Sequence, residues 1–126
     1  MARKPSEYPT DAELAILQVL WQNGSGTVRE VQSRLGGAGY TTVLKTLQIM
    51  TEKGLVTRDE SARAHRYQAA HSEEATQQGI LGDLVERAYR GSAARLVLQA
   101  LSSKRASREE LEEIRRLLDE LEEEEA

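Results

Sequence analysis

The sequence predicts an α+β chain in which three short helices and a β-hairpin are followed by three more helices. Three observations lead there. Apolar residues recur at helical spacing in six separate stretches. The period changes once to strict alternation, in LVTRD and again in HRYQA. A Ser/Thr-x-x-Glu pattern, which satisfies two free backbone donors at a helix start, opens three of the helices.

The first helix is expected over residues 11 to 22. Thr10 and Glu13 form its capping box, Leu14, Leu17, Leu20 and Trp21 recur along it, and Asn23-Gly24 ends it. Trp21 reads as a core residue. Thr27 and Glu30 open a second, short helix with Val28, Val31 and Leu35 on one stripe, stopped by Gly36-Gly37. The third occupies YTTVLKTLQIMTEKGL, residues 40 to 55, with Gly54 as its C-cap. At 100° per residue, Leu47 and Met50 fall within about 40° of Val43, so these three face inward. Thr41, Lys45, Gln48 and Glu52 lie on the opposite arc, with Thr42 and Ile49 at its edge.

The alternating segments then form a hairpin joined by ESARA, with a basic tip and return strand: Arg58, Arg63, His65 and Arg66. Tyr67 is expected to pack beneath it. Three helices followed by a hairpin is the order of a winged helix-turn-helix unit. Its third helix would enter a DNA major groove and its hairpin would lie along the phosphates. Thr hydroxyls and the Gln48 amide suit base edges, while Lys and Arg suit phosphates. Such shapes also serve as protein-interaction modules that do not read DNA, and a polar outer face alone does not separate the two.

The second half is all-helical. Ser72-Glu73-Glu74 opens a helix with Ile80, Leu81, Leu84, Val85, Ala88 and Tyr89, broken at Gly91. A helix near residues 93 to 101 carries Leu96, Val97, Leu98 and Leu101. Ser107 and Glu110 cap a last one with Leu111, Ile114, Leu117, Leu118 and Leu121, which is expected to fray into the EEEE tail. So small a unit buries little of its own surface, yet its apolar stripes are broad. They point to burial against a second copy in an interleaved homodimer, or to folding back on the first half of the same chain. The expected division is 1–71 for the winged helix and 72–126 for the dimerisation region.

Charge follows the same division. The net charge of −4 conceals nine Lys/Arg against seven Asp/Glu up to residue 71, and eight against fourteen beyond it. A basic surface therefore sits on an acidic chain. There is no Cys, which excludes disulfides, thiolate zinc sites and cysteine nucleophiles. His65 and His71, six residues apart, make a poor metal pair. With no nucleophile–base pair and no glycine-rich phosphate loop, an enzyme is not expected, and neither is a cofactor. No apolar run is long enough for a membrane span and no secretory signal is visible, so a cytoplasmic protein is expected.

The segments YTTVLKTLQIMTEKGLVTRDE and RAHRY resemble the recognition helix and wing of the penicillinase repressor (BlaI/MecI) family. TDAELAILQVLW resembles that family's first helix, and AYRGSAARLVLQAL with SREELEEIRRLLDEL resembles its dimerisation region. The resemblance implies a homodimeric repressor that binds a dyad-symmetric operator in double-stranded DNA. Its targets would be β-lactamase, penicillin-binding-protein-like or other stress genes. It implies a reading surface of Tyr40, Thr41, Thr42, Lys45 and Thr46, with Arg63, His65 and Arg66 from the wing. In antibiotic-responsive members a membrane sensor with a zinc protease domain triggers cleavage of the repressor. The matching bond here is Gln99-Ala100, where the cleaved members carry Asn followed by Phe. Ile49 also departs, since many relatives are basic there, and the cysteine hook of copper-responsive members has no counterpart.

Overall fold

The structure, a computed structural model, describes residues 8–125. Its elements are α1 (Asp11–Asn23), α2 (Val28–Leu35), α3 (Tyr40–Lys53), β1 (Val56–Asp59), β2 (Arg66–Ala69), α4 (Glu73–Ala88), α5 (Ala93–Ser103) and α6 (Arg108–Glu125). The chain is an α+β winged helix followed by three helices. It divides into one compact unit ending at Gly82 and a second starting at Asp83, a boundary that falls inside α4.

The core belongs to the first unit. Ile16, Leu17 and Leu20 of α1 meet Val28 and Val31 of α2, Val43, Leu47 and Met50 of α3, and Val56 and Tyr67 of the hairpin. All ten are buried, and the α3 members are the three that helical periodicity aims inward. Thr10 and Thr27 each close a reciprocal capping box, with Glu13 and Glu30.

The chain leaves α3 through Gly54, whose φ of 80° is the left-handed value that favours glycine. The Gly54 amide donates to Thr51 O and the Leu55 amide to Met50 O, which satisfies the last carbonyls and aims the chain into β1. The strands pair antiparallel, Val56 opposite Ala69 and Asp59 opposite Arg66. A further bridge ties the α1–α2 loop to the return strand: Gly26 N donates to Tyr67 O at 2.9 Å, and Tyr67 N to Gly26 O at 2.8 Å. A Cβ on Gly26 would lie 3.3 Å from Val31 Cγ2, so glycine permits this close approach.

Two features depart from the sequence expectations. Trp21 is half-buried at the edge of the core, and its indole N–H donates to His71 O at 3.0 Å. The EEEE segment does not fray in the structure: α6 runs through Glu125. Glutamate is a good helix former, which favours continuation of the helix.

An ion pair joins α1 to α3. Lys53 Nζ donates to both Glu13 oxygens at 2.9 Å, and the Glu13 residue is only 3% exposed. Burial pushes the Glu13 carboxyl up. The hydrogen bonds from Lys53 and from the Thr10 backbone, with the Lys53 charge, outweigh it and hold the group below its ordinary 4.5. Glu30, Asp59 and Glu110 move the same way, chiefly through backbone N–H donors at Thr27, Ser61 and Ser107. A carboxyl lowered in the folded state stabilises the fold above its unfolded pKa, and the contribution is lost as pH falls through the folded value. Thermal melts should give a Tm that is level from neutral pH to about 5 and falls below that. Glu13→Gln should make the fall shallower, and a Tm that rises on acidification would contradict the assignment.

In the second half, Ser72, Ser92 and Ser107 accept from the backbone amides of Ala75, Arg95 and Glu110 and so cap α4, α5 and α6. None of these three helices contains a buried residue.

Candidate nucleic-acid interface

Burial of Val43, Leu47 and Met50 dictates what α3 presents outward. Thr41, Thr42, Lys45 and Gln48 are exposed, with Tyr40 at 40% and Ile49 at 42%. Thr46 is half-buried and its hydroxyl donates to Thr42 O at 2.8 Å. Its methyl group and a lone pair remain for an outside partner. Helix α3 starts on Gly39 with no side-chain cap, unlike the other described helices. Its first amides are left to solvent or to an anion.

The N-terminal turn of α3 faces the wing and the start of α2. Tyr40, Arg63 and His65 line one hollow of about 270 Å³, together with Thr27, Arg29 and Leu44. Neither Lys45 nor Arg63 forms an ion pair with a described residue, so both charges are open to an outside anion. His65 Nε2 lies 4.0 Å from Glu60 Oε1, an ion pair only when the imidazole is protonated. Arg58 is engaged with Glu60 at 3.2 Å.

Arg66 lies elsewhere. It lines a separate hollow with Ser25, Thr57, Arg58, Asp59 and Gln68. Its guanidinium donates to Glu30 Oε1 at 3.0 Å and to Ser25 Oγ at 3.2 Å.

Sequence reasoning missed Arg29. Its guanidinium carbon stands 5.1 Å from the Tyr40 ring centroid, so α2 braces the first residue of α3 and brings a cation to the hollow. The available signal was a cation in the first turn of α2, where the helix dipole disfavours one.

On the second half, Leu81, Leu84, Val97, Leu98, Leu101, Leu117, Leu118 and Leu121 are all at least 39% exposed. Val85, Tyr89, Leu96, Leu111 and Ile114 are half-buried. Gln99 and Ala100 are exposed within α5. Among the described residues no group of three His, Cys, Asp or Glu side chains is placed to hold a metal, and no helix is long and apolar enough to cross a membrane.

The model of the penicillinase repressor family matches residues 9–120. The transcriptional regulator BlaI of Mycobacterium tuberculosis, from strains CDC 1551 / Oshkosh and ATCC 25618 / H37Rv, is 33% identical over 116 residues, covering 89% of this chain and 83% of the relative. Among solved structures, M. tuberculosis Rv0081 aligns with 70% of this chain and 81% of its own at a TM-score of 0.46 and 18% identity.

Proposed function

The chain belongs to the penicillinase repressor family, whose members are DNA-binding transcriptional regulators, and from that premise we propose that it acts as a homodimeric repressor of a dyad-symmetric operator. Its targets on this reading are β-lactamase, penicillin-binding-protein-like or other stress genes. The observation that carries the proposal is the outer face of α3, polar and exposed, with Lys45 on it and Arg63 nearby, neither ion-paired with a described residue. Thr41, Thr42, Thr46 and Gln48 present hydroxyl, methyl and amide groups to base edges. Tyr40, Lys45, Arg63 and His65 meet phosphate and sugar, with Arg29 added to that set.

The second copy is supported by the wet leucines of α4, α5 and α6. A soluble monomer rarely leaves so many large apolar side chains exposed on so few residues. A single winged helix makes few base contacts, and coupling two at a fixed spacing lets the second bind at high effective concentration. The proposed dimer surface comprises the exposed leucines above with Val85, Tyr89, Leu96, Val97, Leu111 and Ile114.

Titration of the full chain against duplex DNA from upstream of its own gene tests the reading. Affinity is expected to fall steeply with salt, by about 0.9 log unit per tenfold salt for each phosphate neutralised. Lys45→Ala should flatten that slope by about one unit and weaken binding on all sequences alike. An unaltered slope would remove Lys45 from the phosphate set. Absence of retardation at low salt would favour a protein-interaction module instead.

A further inference from the structure

We infer that Arg66 is a positioning residue for the wing, held by Glu30 and Ser25, and not a phosphate ligand. The inference rests on the DNA-binding reading above and gives one residue of the expected contact set a different task.

Arg66 is the first residue of β2, next to Tyr67, which joins the strand to Gly26. Its Nε donates to Ser25 Oγ and its terminal nitrogen to Glu30 Oε1, so one planar group is gripped on two sides. The grip is itself braced, because the same Glu30 oxygen accepts the Thr27 amide in the α2 capping box. The loop end of the wing's paired strands is thereby tied to the α1–α2 loop and the first turn of α2. That turn also carries Arg29, which stacks on Tyr40 at the start of α3. A chain of contacts thus runs from the return strand to the reading helix.

Electrostatics point the same way. A phosphate approaching Arg66 would also approach the Glu30 carboxylate 3.0 Å away, and the pair presents little net charge. The Thr27 amide, with Arg66, holds the Glu30 carboxyl below its ordinary value, so it is a carboxylate at neutral pH. Arg63 and His65 line the hollow beside Tyr40, while Arg66 lines a different one. Both partners are about half exposed, so the pair adds little to global stability. Its effect is expected in wing placement.

The test uses the full chain with Arg66→Ala, Arg66→Lys, Glu30→Gln and the Ala/Gln double variant. Glu30→Gln keeps the capping oxygen and removes the charge. Each single variant should weaken operator binding roughly two- to fivefold with the salt slope unchanged, and the double variant should be no worse than Arg66→Ala. Lysine should not rescue, because it lacks the fork that reaches both partners. A slope reduced by about one unit in Arg66→Ala, rescue by lysine, or tighter binding by Glu30→Gln would each overturn the inference. A second readout needs no DNA: amide exchange across residues 57 to 68 should quicken in both Arg66→Ala and Glu30→Gln. Unchanged exchange in both overturns the inference. Failure of the unaltered chain to bind DNA would instead defeat the functional reading, leaving exchange to decide the role of Arg66.

Discussion

Leu98→Asp is expected to sediment as a single chain and to bind a two-half-site operator about a hundredfold or more weakly, the gain that linking two sites supplies. Leu98 is the most exposed of the large apolar side chains, at 67% in α5. In the proposed dimer it is covered, and a carboxylate there would have to be desolvated without a partner. The substitution touches none of the ten core residues of the winged helix, so affinity for an isolated half-site should be unchanged. Sedimentation velocity and paired titrations on one and two half-sites check both parts. A variant that remains dimeric would move the interface away from α5.

The second large effect concerns folding. Lys53→Ala should destabilise the winged helix by about 3 kcal/mol, because it strands the Glu13 carboxylate inside the protein. For a unit of this size that corresponds to a Tm lower by more than about 10 °C. Glu13→Gln combined with Lys53→Met should recover most of the loss. The glutamine retains the Thr10 capping bond, and the methionine keeps much of the apolar stem. Denaturant unfolding of the three proteins at neutral pH measures this. A Lys53→Ala chain as stable as the parent would show that solvent reaches Glu13 in the folded state.

What could be read from the sequence is what repeats locally. Capping boxes span four residues, and their three occurrences mark helix starts that the structure reproduces at Asp11, Val28 and Arg108. The inward set Val43, Leu47 and Met50 follows from helical period alone, as the hairpin follows from alternation. Contacts between distant residues left no such trace. Glu13 reads as a capping residue and Lys53 as an ordinary cation in a last turn. Nothing local says that they meet across 40 positions. The bridge from Gly26 to Tyr67 and the indole bond from Trp21 to His71 were hidden for the same reason. The candidate interface was legible along α3, where one helix defines the surface. It was less legible on the wing, where Arg63 and Arg66 look alike in sequence and differ only in their neighbours.

That α4, α5 and α6 contain no buried residue has a consequence for the number of molecules present. In the proposed dimer, the integrity of that half depends on meeting another copy, so it weakens on dilution by mass action. Scarcity then acts twice: fewer chains encounter the promoter, and a smaller fraction of them exist as pairs. Silencing of the target would rise more steeply than linearly with abundance, and a falling copy number would release it abruptly without any inducer.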